Sequence, residues 1–416
     1  MQINRVVITG MGAISPFGRG ANVLFAGLSG GKSGIRFLPE TTAIRGLRSH
    51  VAGRIIDCDP TEIPRKYRRS MSAGSIYAVM ATQEALSQGN VSDELRTGKD
   101  MGVAIGSTVG SIGTLEAFFR DYFSDFCLER MRSTLFFKIM NHSHAANVSQ
   151  MLGITGRTLA PAAACSTGCQ AVGIGYEMIA SGKQRLMLCG GTDEFHPLFI
   201  ATFDVMNAAS IHFNHTPERT PRPFDRDRDG IVCSEGCGML LLESLESARS
   251  RGAVILAEIV GFATQSDPSN IANPDAGSIV SCMRECLENA GLKPEAIDYI
   301  NAHATATIEG DASECEAIRI LFGDTVAVSS LKGHLGHTMA ASGALELMAC
   351  IFMMRQNRMI PTLNLDHVDA GCEGIFHVRR AAEKSIRLVL KNSFALGGVN
   401  SSILLRRLIH DRSGNR

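Results

Sequence analysis

The chain has 416 residues, with 41 Lys plus Arg against 41 Asp plus Glu, 45% hydrophobic residues, 6% aromatics and no tryptophan. That length allows two or three domains around a large core, and the balanced charge and ample apolar content exclude a disordered or generally nucleic-acid-binding chain in favour of a Gly- and Ala-rich α/β protein. The twelve cysteines are scattered with none in a CxxC, and Met1-Gln2-Ile3-Asn4-Arg5 runs into an apolar strand without a signal-peptide profile, so a reducing cytoplasm is expected. No apolar run approaches the ~20 residues of a membrane span, and membrane insertion is not expected.

In chain order, Arg5 to Ile14 reads as a buried strand ending in a glycine turn. Gly10-Met11-Gly12-Ala13-Ile14-Ser15 lacks the third small residue of a dinucleotide fingerprint, and Pro16 and Gly18 follow where a helix would start, so no nicotinamide site is expected. Next, Arg65-Lys66-Tyr67-Arg68-Arg69 leads into an amphipathic helix through Ser75-Ile76-Tyr77-Ala78-Val79-Met80. Four positive charges in five residues make either a solvated face or a docking patch for an acidic partner.

An internal echo organises the rest. Ala73-Gly74-Ser75-Ile76, a helix, a polar break over Val91 to Asp100 and the strand Met101 to Ser107 form one unit. Ala276-Gly277-Ser278-Ile279, a helix through Cys286-Leu287, the break Gly291-Leu292-Lys293-Pro294 and the strand Ile297 to His303 form its counterpart. Further on, the apolar strand Leu159 to Ala164 leads into Cys165, which opens a helix to Ala180, and strand Arg185 to Cys189 follows. In the second half, strand Val326 to Ser330 is followed by Gly336-His337-Thr338, which opens the apolar helix Met339 to Met354. The boundary falls near Arg251, giving units 1–251 and 252–416. Because parallel α/β sheets bind ligands beyond the carboxyl ends of their strands, Cys165, His303 and His337 are expected to converge on one crevice.

Cys165 is flanked by small residues in Ala162-Ala163-Ala164-Cys165-Ser166-Thr167-Gly168-Cys169. At a helix start its sulfur would face unpaired N–H groups and the positive end of the dipole, which lowers a thiol pKa below ~8.5. A small buried cysteine at a strand end would look the same. His303 and His337 sit at alanine- and glycine-rich turns that permit close substrate approach, although a hydrogen-bonded structural histidine fits either place. Lys332 and Glu314 flank apolar segments, where a lone charge is costly to bury. They read either as a Lys–Glu pair buttressing the histidines or as surface charges. His303, His334 and His337 with Asp311, or His142 with His144, offer no complete ligand set at a known zinc spacing, so no metal is expected.

With these residues in place, the chain resembles the β-ketoacyl-acyl carrier protein synthases of the two-histidine condensing class over Arg5 to Leu405. Five blocks match in order: Ala164-Cys165-Ser166-Thr167-Gly168; Pro223-Phe224-Asp225 with Asp227-Arg228-Asp229-Gly230; Asn301-Ala302-His303 with Thr305, Thr307, Gly310 and Asp311; Lys332 with Gly336-His337; and Asn392-Ser393-Phe394 with Gly397-Gly398 and Asn400. The resemblance implies a thiolase-like α/β fold, two similar halves in a five-layered α-β-α-β-α arrangement, in a homodimer, with a heterodimer with a related subunit as the alternative. It implies that Cys165 takes an acyl chain from phosphopantetheine on an acyl carrier protein, and that malonyl-carrier then decarboxylates and attacks it. A non-condensing acyl-binding subunit is the rival reading, against which the retained Cys165 speaks.

By the same resemblance, His303 and His337 stabilise the enolate, Lys332 and Glu314 hold the histidines, and backbone N–H groups of Cys165 and Leu396 form an oxyanion hole. Phe394, Ala395, Leu396 and Gly397 form the gate. Arg65, Lys66, Arg68 and Arg69, with Arg130 and Arg132, form the carrier-protein docking patch. No cofactor is implied. The chain departs from the family pattern at His303-Ala304-Thr305-Ala306-Thr307-Ile308, where Gly-Thr-Ser-Thr-Pro is usual after the histidine, and at Ala395-Leu396-Gly397-Gly398-Val399-Asn400, where Gly-Phe-Gly-Gly-Thr-Asn is usual. Ile231 replaces a frequent phenylalanine, His334 is unusual, and Met131 to Gln150, expected to line the acyl pocket across a dimer, is only loosely similar. These changes point to a specialised acyl chain, such as a polyene, as readily as to ordinary fatty acid elongation.

Overall fold

The computed structural model describes residues 3–127, 129 and 131–408. Up to Arg251 the main elements are β1 (Val6–Ser15), α1 (Ala73–Gln88), β2 (Met101–Gly106), α2 (Ser143–Leu152), α3 (Thr167–Ala180), β3 (Leu186–Asp193) and β4 (Gly236–Ser244). Beyond it come β5 (Ala257–Ser266), α4 (Ala276–Asn289), β6 (Tyr299–Asn301), α5 (Ile308–Phe322), β7 (Ala327–Ser329), α6 (Ser342–Gln356), β8 (Leu388–Ala395) and β9 (Val399–Arg406). The strands order as Phe376–His377, β7, β6, β8, β9, β5, β1, β4, β3, β2, Thr158–Leu159, with Gly18–Arg19 folded back on β1. The pairing between the two parts is short: β1 meets β5 only from Val6↔Ile259 to Ile8↔Ala257.

Alternation along the strands sets the layers. Leu240 and Leu242 of β4, Val389 of β8, and Ile403 and Leu405 of β9 share a core with Val172 and Ile179 of α3 and with Leu345, Met348 and Ile351 of α6. Their strand neighbours point the other way. Leu241 packs with Val79 and Ala85 of α1 and Val148 of α2, while Leu390 and Leu404 pack with Ile279 and Met283 of α4 and Ile318 of α5. The result is the five-layered α-β-α-β-α arrangement, with α3 and α6 buried between the two sheet portions. Each fully buried Leu or Ile on these faces contributes about 1.5–3 kcal/mol. The echo extends to helix starts: Ser72 caps α1 by accepting from the Ser75 N–H, and Asp275 caps α4 by accepting from Ser278.

Several local expectations need correction. Of the apolar strand expected over Leu159 to Ala164, only Thr158–Leu159 pairs, because Pro161 lacks an N–H and Ala164 turns to φ +44°. The polar break over Val91 to Asp100 contains the short helix Asp93–Thr97, capped by Ser92. Cys165 lies in a 3-10 turn, Ala164–Ser166, and α3 starts at Thr167. Likewise Met339–Ala341 is a 3-10 turn and α6 starts at Ser342.

These paired turns also change the internal correspondence. Ala164 and Met339 both hold left-handed φ, +44° and +48°, each at the head of a three-residue turn before a helix. The structural twin of Cys165 is therefore Ala340, and His337 stands two residues upstream of its turn. The helix starts cross backbone to backbone: a Cβ at Gly168 would overlap the Ala340 carbonyl oxygen, and one at Gly343 would overlap the Cys169 nitrogen.

Candidate active site

The turn that presents Cys165 is tied down on both sides. The Ala163 N–H donates to Thr167 Oγ1 at 2.8 Å, and Ser166 Oγ–H donates to the Ser393 carbonyl on β8 at 3.0 Å. Ala164, next to the cysteine, holds a conformation that an L-residue adopts only when its surroundings enforce it. The thiol is buried but lines a cavity. Burial pushes it up to about 11, while Lys332 and the N–H groups of Leu396 and Cys165 pull it down and Asp193 pushes it up. The lowered thiol expected at a helix start is thus overturned, since loss of water outweighs these favourable groups. The resting residue is a thiol.

His303 lies two residues beyond the end of β6. Its N–H and that of Ala304 donate to the Glu314 carboxylate at 2.9 and 2.7 Å, and the Ala306 N–H donates to Asp311 at 3.0 Å. Two carboxylates on α5 thereby fix the histidine loop through its backbone. His337 is fixed through its ring: Nδ1 accepts from the Met339 N–H at 3.2 Å and lies 2.9 Å from Ser342 Oγ. An accepting Nδ1 leaves the proton of the neutral ring on Nε2. Burial holds both imidazoles well below the usual histidine range, and the Lys332 charge adds to this.

The two rings stand 5.4 Å apart and nearly perpendicular. One side-chain ligand atom from each of Cys165, His303 and His337 lies within 4.8 Å of the others. His303 Nδ1 and His337 Nε2 are buried with no hydrogen-bond partner among the described residues. An unpaired buried polar atom costs about 1–3 kcal/mol, so this geometry suits a ligand that brings an acceptor.

The expected Lys332–Glu314 pair is not formed. Lys332 Nζ donates to Glu346 Oε1 at 2.8 Å, and Lys391 Nζ lies 2.7 Å from Glu346 Oε2, all three side chains being buried. Glu314 is occupied instead by the His303 and Ala304 backbone and by Asn392 Nδ2 at 3.2 Å. Sequence reasoning missed Glu346, Lys391, Ser342 and Asn392 as supports of the site. Glu346 and Lys391 carried a signal: each is a lone charge in an apolar run, Ala344-Leu345-Glu346-Leu347-Met348 and Leu388-Val389-Leu390-Lys391, and a buried charge needs a partner.

Cys165 and the two histidines open on a cavity of about 260 Å³. Phe203, Met206 and Ile231 line it on one side and Phe394, Ala395 and Leu396 on another. The last three run from β8 into its turn to β9, where Gly397 and Gly398 take φ +91° and +74°. Phe394 packs 6.0 Å from the His303 ring, and Leu396 is 36% exposed at the mouth. The Gly397 N–H donates to Ile271 and the Asp267 N–H to Gly398, so the turn is latched to segment 267–271.

Residues 3–248 match the β-ketoacyl synthase N-terminal domain and 256–366 its C-terminal domain. The chain is 34% identical to 3-oxoacyl-[acyl-carrier-protein] synthase 2 of Coxiella burnetii, across 98% of this chain and all of that one. This chain belongs to the β-ketoacyl synthase family. It is an acyl-transferring condensing enzyme with the thiolase-like fold. A crystal structure of a β-ketoacyl synthase from Burkholderia phymatum superposes with a TM-score of 0.94 at 40% identity, covering 98% of this chain and 100% of that chain. A type II polyketide ketosynthase solved with its acyl-carrier protein and bound to the hexaketide gives 0.90 at 28% identity, with the same coverage.

The other sequence candidates of this synthase lie apart from the cavity. Arg65, Lys66 and Arg69 are exposed, Arg68 is half-buried and Arg132 is exposed, whereas Arg130 lies outside the described residues. Lys66 and Arg69 border a shallow groove with Ser133, Thr134 and Phe137. None of residues 131–150 lines the cavity within the one protomer. His334 is turned away, both ring nitrogens lying 3.0 Å from the carbonyls of Lys32 and Pro361. His144 Nδ1 meets Ser75 Oγ, and Asp311 accepts from the Phe224 and Ala306 N–H groups. The wider metal-ligand sets considered from spacing are therefore not assembled.

Proposed function

We propose that Cys165 is the nucleophile, and His303 and His337 the enolate-stabilising donors, of a decarboxylative condensation between an acyl-carrier protein thioester and malonyl-carrier. The single observation that carries this is the convergence of the sulfur and the two imidazoles, all three buried, within 4.8 Å at one cavity. In the first half-reaction the Cys165 sulfur attacks the acyl thioester carbonyl, its proton leaves with the carrier thiol, and the Cys165 and Leu396 N–H groups face the developing oxyanion. In the second, malonyl-carrier loses CO2, and the oxygen of the resulting enolate accepts from the imidazole N–H groups. The enolate carbon then attacks the acyl-cysteine, and release of the sulfur gives β-ketoacyl-carrier two carbons longer.

The acyl and malonyl groups arrive on the phosphopantetheine arm of an acidic carrier protein, for which Arg65, Lys66, Arg68 and Arg69 supply the opposing charge. Division of the chain at Arg251, a homodimer and a cytoplasmic setting complete the reading. Among the described residues no helix is long and apolar enough to cross a membrane. The leucine at 396 and the methyl of Ala304 at the cavity fit a specialised primer as readily as ordinary saturated chains.

Intact-mass measurement after incubation with acyl-carrier tests the reading. The expected result is one acyl adduct that disappears in Cys165→Ala. An undiminished adduct in that variant would remove Cys165 from the mechanism, and the absence of any adduct in the unaltered protein would favour a non-condensing subunit.

A further inference from the structure

A single exposed aliphatic side chain is ordinary on a protein surface, but a cluster around one opening is not. Met206, Ile308 and Leu396 line the Cys165 cavity and are also exposed, so they mark its mouth. Val205 precedes Met206 at the end of the helix Pro197–Val205, and Ile271 precedes the lining residue Ala272. Val205 is 83% exposed and Ile271 77%. The fold thus gathers aliphatic side chains from separate segments of the chain onto one rim. Two anchors hold that rim in shape. The buried Asp204 carboxylate accepts from Arg48 Nε at 2.6 Å, and Arg48 Nη2 donates to Asn207 Oδ1 at 2.9 Å, which ties down both sides of Val205 and Met206. Across the mouth, the Ile271 carbonyl accepts from the Gly397 N–H at 2.8 Å. A preformed apolar rim gives up little freedom when it binds.

Charge separates this rim from the basic run at 65–69. The cavity lining holds no lysine or arginine, Glu309 is exposed in it, and Arg48 beside it is committed to Asp204. Lys66 and Arg69 border a different groove. An acidic partner is therefore attracted elsewhere on the surface, while the part of it that lies on the mouth meets aliphatic groups and a carboxylate. A substrate tethered to a carrier protein brings the carrier's tether point to this mouth, because its arm has to enter the cavity there.

We propose that Val205, Met206, Ile271, Ile308 and Leu396 form an apolar collar that seats the carrier protein around its phosphopantetheine-bearing residue, and that the collar selects carriers whose side chains beside that residue are apolar rather than acidic. The inference rests on the carrier-dependent acylation of Cys165 given above. Contact at the collar is short-range and little affected by sodium chloride, whereas the basic run acts at a distance and is screened.

The test uses the double variant Val205→Ser, Ile271→Ser, which changes the two collar side chains that do not line the cavity. The second-order rate of Cys165 acylation is read by intact mass with acyl-carrier and with acyl-pantetheine as donors, at about 0.05 and 0.5 M sodium chloride. The variant is expected to lose about ten-fold with acyl-carrier at both salt concentrations and nothing with acyl-pantetheine. A carrier whose apolar neighbours of the tethered residue are replaced by aspartate should show a similar loss on the unaltered protein and little further loss on the variant. An equal loss with both donors, a loss that vanishes at high salt, or indifference to the carrier's substitutions overturns the inference. Co-sedimentation of the unaltered protein with phosphatidylglycerol vesicles, lost in the variant, would reassign the collar to a lipid surface and overturn it too. Failure of both donors to acylate the unaltered protein would instead sink the reading on which the inference rests.

Discussion

At the residue scale, the chemistry turns on groups held in the protonation state opposite to the one their reactivity first suggests. Cys165 rests as a thiol because burial outweighs Lys332 and two N–H groups. Thiolate character therefore accumulates only as pH rises toward about 11. Alkylation of Cys165 by iodoacetamide in the free enzyme should climb through pH 10 without a plateau, and a plateau between pH 7 and 8 would contradict the buried thiol. Ser342 lies against the acceptor nitrogen of His337. Ser342→Ala should leave acylation unchanged and lower the condensation kcat by about ten-fold, on the order of the 1.4 kcal/mol of one hydrogen bond. An equal fall in acylation rate would point to a general packing defect. The cysteine and both histidines were legible in sequence because each sits among small residues at the end of an apolar segment. Glu346 was not, because its lysine partners lie 14 residues before it and 45 after it in the chain, so their pairing depends on the packing of α6 against β8.

At the element scale, the site is built where α3 and α6 begin. Gly168 and Gly343 permit the two helix starts to touch, and Ala164 and Met339 take the same left-handed turn ahead of them. Gly343→Ala should destabilise the fold by about 1–3 kcal/mol, read as a lower denaturation midpoint, because its methyl meets backbone on α3. An unchanged midpoint would mean that the contact relaxes freely. The turn after β8, where the resemblance puts a gate, is a second element. Leu396 is the first residue after β8, in its turn to β9, and lines the cavity. Leu396→Gly should widen primer use, raising kcat/KM for ordinary saturated primers relative to unsaturated ones, and efficient turnover of saturated primers alone by the unaltered enzyme would sink the specialised reading. Repeat matching found both helix starts but paired Cys165 with His337. The φ values, which sequence spacing does not carry, identify Ala340 as the twin.

At the scale of the whole molecule, five layers bury α3 and α6 and leave the basic run at 65–69 on the surface, where the proposed docking sets it against an acidic carrier protein by long-range attraction. Reversing the charges of Lys66 and Arg69 should raise KM for carrier substrates several-fold and flatten the dependence of turnover on salt, with kcat nearly unchanged. Unaltered salt sensitivity would return the run to ordinary surface. The α/β class and the internal repeat were legible because apolar segments and the repeated Ala-Gly-Ser-Ile helix starts survive in the sequence, whereas the five-layered thiolase-like arrangement was implied by the family resemblance. The lengths of short paired segments were not legible, since β6 and β7 are three residues each and owe their place to neighbours on both sides. The account stands on a division of labour between one sulfur and two imidazoles, and single-turnover release of CO2 separates them most directly. Enzyme already acylated on Cys165 is mixed with malonyl-carrier, and CO2 and β-ketoacyl-carrier are followed together. His303→Ala and His337→Ala should each accept the acyl group normally yet release CO2 at least about 100-fold more slowly, whereas CO2 release at the unaltered rate in either variant would contradict the assignment.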